Sequence, residues 1–311
     1  MAKESFITKK EIKKMLSKRR KNSCKNDYGH IFILAGSVGM TGAAVLASQA
    51  AMRIGAGLVT LGIPESLNEI VDVKLTEVMT LPLPETKEGN VDKSAYNKIF
   101  QFIEKRKVAS LIVGPGLSCG QQTVKLVKKI IQNIELPCVL DADGINALRK
   151  QPQHSTSVFN RTQTWQIPEL NKAKANIIMT PHPGELGRLI NESPRSIQKD
   201  RIKYATCFAK ENEVIVALKG YQTIITDGSK IFVNPTGNPG MATAGCGDVL
   251  TGMIGGLINQ VEGKNLLKAT ISGVYLHGLA GDMAVRDKTE MGLIATDVLE
   301  KIPEAIKKVN R

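Results

Sequence analysis

Asp248 follows the run Ala244-Gly245-Cys246-Gly247 and precedes Val249, Leu250, Met253 and Ile254. That apolar i, i+1, i+4, i+5 spacing predicts a buried helix beginning near Cys246. The first N–H groups of a helix have no intrahelical partner, and the helix dipole adds positive potential there. Ala244 to Gly247 therefore reads as a phosphate or oxyanion loop. A carboxylate beside a phosphate cradle repels phosphate. The chemistry that suits Asp248 is removal of a proton from a hydroxyl as that hydroxyl attacks phosphorus. The plainer alternative is that Asp248 only stabilises the helix N-terminus. The Asn-Pro-x-Gly-Asn-Pro-Gly loop at Asn234 to Gly240 and the five glycines in the 19 residues Asn234 to Gly252 favour chemistry. Cys246, at the same helix start, is expected to have a lowered pKa and to be open to oxidation.

Other candidates stand at the ends of apolar runs. His182 lies between Pro181 and Pro183 after the run Asn176 to Met179. Open α/β sheets bind ligands at strand carboxyl ends, so His182 is either a structural residue or a ligand contact. Lys219 follows Val214 to Leu218 and can bind phosphate as a point charge, or be one more surface lysine. His30 to Ala35 leads into Gly36-Ser37-Val38-Gly39-Met40-Thr41-Gly42, a strand, glycine turn, helix pattern. Ala109 to Val113 leads into Gly114-Pro115-Gly116-Leu117, and Pro137 to Asp141 into Ala142-Asp143-Gly144. This last region also looks like a dinucleotide fold with Asp141 as its ribose acid. Its glycine spacing is one residue too long, however, and Pro115 removes an N–H from the turn.

Short apolar runs alternate with helical ones along the chain. Helices are expected at Lys9–Arg19, Ala43–Ile54, Lys93–Lys107, Gln121–Asn133, Asp200–Asn212 and through Leu266–Asn310. This order predicts an α/β fold with a mostly parallel sheet. Asp227-Gly228 predicts a hairpin before Lys230 to Val233. Residues 1–8 read as loose, and 151–174 as a polar surface excursion. The chain has 311 residues, 42% hydrophobic and 23% charged, with aromatics at only 4%, so the core is expected to be aliphatic. No apolar run approaches the ~20 residues that span a bilayer. Five cysteines without a C-x-x-C pair argue against a disulfide framework or a zinc site and fit a reducing cytoplasm. The net charge of +13 suits anionic partners. Nine Lys or Arg fall between Lys9 and Lys25. We read them as the solvated face of a helix that buries Ile12, Met15 and Leu16, rather than as a nucleic-acid arm.

The run Asn238-Pro239-Gly240-Met241-Ala242-Thr243 with Gly245-Cys246-Gly247-Asp248-Val249-Leu250-Thr251-Gly252 resembles the NAD(P)H-hydrate dehydratases of the ribokinase-like superfamily. Gly29 to Gly42, Gly114-Pro115-Gly116-Leu117, Asp141-Ala142-Asp143-Gly144-Ile145-Asn146, Pro181-His182-Pro183-Gly184-Glu185, Lys219 to Thr223, Gly273 to Gly278 and Gly292 to Asp297 extend the resemblance over nearly the whole chain. Two departures are visible. The family commonly has Gly-Gly-Thr/Ser-Gly-Asp where this chain has Ala244-Gly245-Cys246-Gly247-Asp248. Backbone donors survive that change, and a hydroxyl contact to phosphate does not. Cys24-Lys25-Asn26 also replaces the usual His-Lys-Gly upstream of Tyr28-Gly29.

The resemblance implies a ribokinase-like fold, a mostly parallel sheet flanked by helices on both faces. It would form one domain over 29–311, after a basic lead-in over 1–28. It implies metabolite repair: dehydration of the S epimer of hydrated NADH or NADPH, coupled to hydrolysis of ADP to AMP and phosphate, or of ATP. Ala43, Gly116, His182 and Asp248 would meet the hydrated nucleotide, with Asp248 catalytic. Lys219, Gly220, Tyr221, Gln222, Thr223 and Gly247 would bind the adenine nucleotide. Asp141 and Asp143 would lie at the site's edge. Mg2+ would bridge the nucleotide phosphates, with no metal held by the protein alone. A cytoplasmic homotetramer without nucleic-acid or membrane partners is implied. Two other functions share these features. One is a vitamin kinase of the hydroxyethylthiazole, hydroxymethylpyrimidine or pyridoxal type. The other is a nucleotide-sensing protein without turnover. Pro-His-Pro-Gly-Glu and Gly-Pro-Gly-Leu favour the dehydratase.

Overall fold

Ile31-Phe32-Ile33-Leu34 is apolar on both sides of the pleat, so such a strand needs cover on both faces. A computed structural model describes residues 4–149 and 165–311 and supplies that cover. Its strands are β1 (Glu4–Phe6), β2 (His30–Leu34), β3 (Leu58–Pro64), β4 (Met79–Leu83), β5 (Ser110–Val113), β6 (Cys138–Leu140), β7 (Ile177–Met179), β8 (Ile215–Leu218), β9 (Ile224–Thr226) and β10 (Ile231–Val233). They form one sheet in the order β1-β10-β9-β8-β7-β6-β5-β2-β3-β4. β9 runs antiparallel to both its neighbours, and every other pairing is parallel.

Alternate strand residues face two separate cores. Ile31, Ile33, Ile112, Val139, Ile178 and Ala217 meet the helices Thr41–Ile54, Cys246–Leu257 and Leu266–Asp287. Phe32, Leu34, Leu111, Val113, Leu140 and Met179 meet Ala95–Arg106, Gln121–Asn133, Pro183–Ile190 and Arg201–Asn212. This is the expected α/β sheet with helices on both faces. The expected elements occur within a few residues of their expected limits, and Gln121–Asn133 coincides with its own.

β2 pairs with β3 on one side and with β5 on the other. Chain order reverses there, so the loops leaving the carboxyl ends of β2 and β5 diverge and open a crevice. The loops are tied at their base. Gly36 N–H donates to Pro115 O at 2.9 Å, and Ser37 Oγ donates to Gly116 O at 2.8 Å.

Two expectations are corrected. Residues 1–8 are not loose where they are described: Glu4–Phe6 pairs in parallel with β10, and Ile7 is buried. The basic helix ends at Met15 instead of Arg19. Leu16 bridges to Val261, and Ser17 N–H donates to Gln260 O at 2.8 Å, so the backbone leaves the helix for another partner. The helix does bury Ile12, with Met15 and Leu16 packed on the core. The C-terminal region is helical as expected, in three helices, Leu266–Asp287, Ala295–Glu300 and Ile302–Asn310. The first part of the expected excursion over 151–174 lies outside the described residues. From Trp165 the chain is packed, with the indole stacked on Tyr204 at 5.2 Å between ring centroids.

Candidate active site

The helix Cys246–Leu257 carries the glycine loop into the crevice edge. Ten of its twelve residues are buried, a degree of burial that small residues make possible. A Cβ on Gly252 would lie 2.1 Å from Ala47 O, and one on Gly256 2.8 Å from Ala51 O, so the helix lies directly on Thr41–Ile54. Gly245 is the N-cap at φ 90°, a conformation that favours glycine, and a Cβ there would strike Leu46 and Ala295. Ala244, Gly245, Cys246 and Gly247 thus occur at a helix N-terminus, as expected.

Charged groups from four elements converge on that terminus. Lys219, at the end of β8, places Nζ 2.7 Å from Asp141 Oδ1 and 3.6 Å from Glu185 Oε2. Thr251 Oγ1 donates to Asp141 Oδ2 at 2.6 Å and to Gly247 O at 3.0 Å. A Cβ on Gly247 would stand 3.5 Å from Lys219 Nζ and 3.8 Å from Asp141 Oδ2. Lys219 and Gly247, expected together on the adenine nucleotide, are therefore neighbours. Burial disfavours the lysine's charge, but Asp141, Glu185 and Asp248 outweigh it, and the Lys219 pKa is raised. The ammonium persists across the physiological range.

Asp141 lies at the centre of this network, 1% exposed, rather than at the edge. Asp143 is the outer acid. Its Oδ2 accepts from Ser118 N–H at 2.8 Å and its Oδ1 from Asn146 Nδ2 at 3.2 Å, which anchors the loop after β5. Ala142 between them takes φ 46°, ψ −115°, a strained backbone for a residue with a Cβ.

The Asp248 carboxyl is pushed up to about 7. Burial is the main cause, followed by the negative charge of Asp141. Lys219 opposes the shift, and Glu185 and Asp143 add to it. A carboxyl at that value is partly ionised at neutral pH and basic enough to take a proton, as a general base requires. The expectation for Cys246 is overturned. Its thiol is pushed up to about 11, because it is buried, with Asp248 nearby adding to the effect; only a hydrogen bond from Thr243 works the other way. The helix dipole does not outweigh desolvation there.

On the far side of the crevice, Gly116 takes φ 58°, and a Cβ there would sit 2.7 Å from Met40 O and 3.1 Å from the Ala43 Cβ. Ala43 and Gly116, expected to share the substrate, line one narrow place. His182 is the N-cap of Pro183–Ile190 and half-exposed. Gly184 N–H donates to His182 Nδ1 at 3.0 Å, which leaves the ring proton on Nε2, 3.5 Å from Glu185 Oε1. Burial lowers the His182 pKa; Glu185 opposes this while Lys219 and Arg188 reinforce it, so the ring is neutral. Lys219 N–H donates to Pro181 O at 2.8 Å and joins the two strand ends. Tyr221 is 82% exposed on the turn between β8 and β9, and Thr223 Oγ1 donates to Gly220 O at 3.0 Å across it.

Sequence reasoning missed Glu185 and Thr251 as site residues. The signals were present: Glu185 is three residues after His182 in a capping box, and Thr251 is one turn after Gly247. Among the described residues, no three His, Cys, Asp or Glu side chains converge as a metal cage, since Asp141 is committed to Lys219 and Thr251. Nor is any helix long and apolar enough to cross a membrane, among those same residues.

A carboxyl poised near neutrality beside a glycine-capped helix start, on a mostly parallel sheet with a fixed lysine, defines a ribokinase-like α/β protein. The family model described as NAD(P)H-hydrate dehydratase matches residues 31–304, and the chain belongs to that family. The chain is 38% identical over 304 residues to a bifunctional NAD(P)H-hydrate repair enzyme of Moorella thermoacetica, covering 97% of this chain and 54% of that one. It spans about half the length of the first curated relatives it matches. It is 30% identical over 305 residues to the ADP-dependent (S)-NAD(P)H-hydrate dehydratase of Bacillus subtilis, covering 97% and 98% of the two chains. A crystal structure of the ADP/ATP-dependent NAD(P)H-hydrate dehydratase from Bacillus subtilis, co-crystallised with ATP/Mg2+, superposes with a TM-score of 0.80 at 28% identity over 98% of each chain.

Proposed function

We propose that this chain dehydrates the S form of hydrated NADH and NADPH while hydrolysing an adenine nucleotide, with ADP as the favoured donor. The observation that carries the reading is the Asp248 carboxyl, held near neutrality beside the Gly245–Gly247 loop and Lys219. Hydroxide is a poor leaving group and phosphate a good one. In this reading the hydroxyl of the hydrated ring gives its proton to Asp248 as its oxygen attacks the terminal phosphoryl group. The donor departs one phosphate shorter. The phosphorylated oxygen then leaves as inorganic phosphate, and a neighbouring ring carbon gives up a proton, restoring the ring double bond.

Each residue has a part in this. The unpaired N–H groups from Ala244 to Gly247 stabilise charge on the phosphoryl group. Lys219, held by Asp141 and Glu185, offers a fixed cation beside Gly247. Ala43 and Gly116 leave room for the flat ring, and neutral His182 contacts the substrate from the other wall. Lys219 to Thr223 seats the nucleotide. Magnesium would come with the nucleotide as counter-ion to its phosphates.

The family and the full-length similarity to the ADP-dependent Bacillus subtilis enzyme support this reading and favour ADP over ATP. We also propose that 29–311 is one ribokinase-like domain, with 1–28 as a lead-in, and that the molecule is a homotetramer. Five free cysteines support a reducing, cytoplasmic setting.

The test is recovery of absorbance at 340 nm when acid-hydrated NADH is incubated with the protein, magnesium and either ADP or ATP. Faster recovery with ADP is expected. No recovery with either donor, with nucleotide consumed once a vitamin alcohol is added, would instead establish a kinase.

A further inference from the structure

Arg201 opens the helix Arg201–Asn212 and points its guanidinium at the back of the turn between β8 and β9. Nη2 donates to Leu218 O at 2.8 Å, and Nη1 donates to Tyr221 O. Those two carbonyls bracket Lys219 and Gly220. Gly220 takes φ 145°, and a Cβ there would lie 3.2 Å from the guanidinium carbon. A larger residue at 220 would push the guanidinium off the turn. Gln222, at φ 52°, and the Thr223–Gly220 hydrogen bond complete a backbone shape that the chain would not hold unaided.

The clamp is a costly one. Burial lowers the Arg201 pKa. Among the described residues it makes no ion pair, whereas Lys219 on the same turn has two carboxylates. A neutral amide could cap one carbonyl without that penalty. The planar fork of arginine reaches both carbonyls with separate nitrogens in one fixed geometry.

We propose that Arg201 is a positioning residue for the nucleotide donor: it preforms the Lys219–Thr223 turn. The inference rests on the reading of that turn as the donor's seat.

The test compares Arg201→Met and Arg201→Lys with wild type in the steady-state repair assay, alongside ADP titrations and thermal melts. Loss of two hydrogen bonds from a charged donor should raise KM and Kd for ADP about tenfold or more in Arg201→Met, and less in Arg201→Lys, which keeps the charge without the fork. KM for hydrated NADH and kcat at saturating ADP should stay within about twofold. An equal rise in both KM values with a fall in kcat and in Tm would make Arg201 a merely structural residue. Gly220→Val separates the proposal from the reading beneath it. If Gly220→Val weakens ADP binding and neither Arg201 variant does, the seat stands and the role of Arg201 is refuted. If ADP binding is unchanged in all three variants, the turn is not the seat, and both fall.

Discussion

At the scale of single residues, one carboxyl stands apart from the acids around it, each of which has partners of its own. Asp141 has Lys219 and Thr251, Glu185 has Lys219 and His182, and Asp143 has Ser118 and Asn146. Asp248 is left without such a partner, and burial together with three acids raises it to about 7. The general base that we propose acts when ionised, so kcat/KM should rise with pH through about 7 and level off above it. Asp248→Asn should lose at least about 100-fold in turnover while binding ADP nearly as well as wild type. The same substitution should stabilise the protein at high pH. The folded state binds this proton more tightly than the unfolded chain does, so wild type loses stability as pH climbs from the ordinary carboxyl range to about 7. Asparagine removes that loss, and Tm at pH 8 should exceed wild type by about 2 °C or more. Cys246 gives a contrary expectation. Its buried thiol, raised to about 11, should resist iodoacetamide at pH 7.5, while exposed Cys24 is labelled and repair activity persists. Peptide mass spectrometry beside the 340 nm assay would check this. Alkylated Cys246 at pH 7.5 would show the loop to be far more open than it is here.

Elements hold those residues, and closeness of approach is their means. Cys246–Leu257 lies on Thr41–Ile54 because Gly252 and Gly256 have no side chains. Gly252→Ala would drive a Cβ into Ala47 O, and such overpacking costs about 1–3 kcal/mol. Because this helix carries Cys246 to Asp248 at its start, Tm and kcat should fall together. Gly42→Ala, with open space around its Cβ, should leave Tm unchanged or raised. Most of this level was legible in the sequence. The apolar runs marked the sheet strands, and the glycines after β2 and β5 marked the crevice. What escaped was pairwise. Thr251 reads as one helix residue among many, and only the fold brings it to Asp141 across the chain. The thiol of Cys246 was misjudged for a related reason: a helix start is visible in a sequence, and the depth at which it is buried is not. The strand Glu4–Phe6 was also missed, because its three residues are exposed and show no apolar pattern.

At the scale of the whole molecule, one long sheet carries the charged cluster at the carboxyl ends of β6, β7 and β8, and the crevice opens beside them where strand order reverses. The sheet's N-terminal edge is closed by β1, anchored through Ile7, which is 3% exposed and donates its N–H to Val233 O at 3.1 Å. Ile7→Ala should cost about 2–4 kcal/mol in a urea melt. It should also increase aggregation seen by light scattering, since a detached β1 leaves the β10 edge unpaired. Equal stability and equal scattering would show that the edge needs no cover. The pairing of Glu4 with Ile231 also orders events in time. Of the ten strands β1 is made first and is the last able to pair, because its partner β10 follows all the others in the chain. Until then β1 can only wait, and β10 emerges with an open side. Closing so long a loop late is slow relative to local helix formation. Freshly made chains should therefore pass through a stage in which the crevice strands are already assembled and the far edge of the sheet is still sticky.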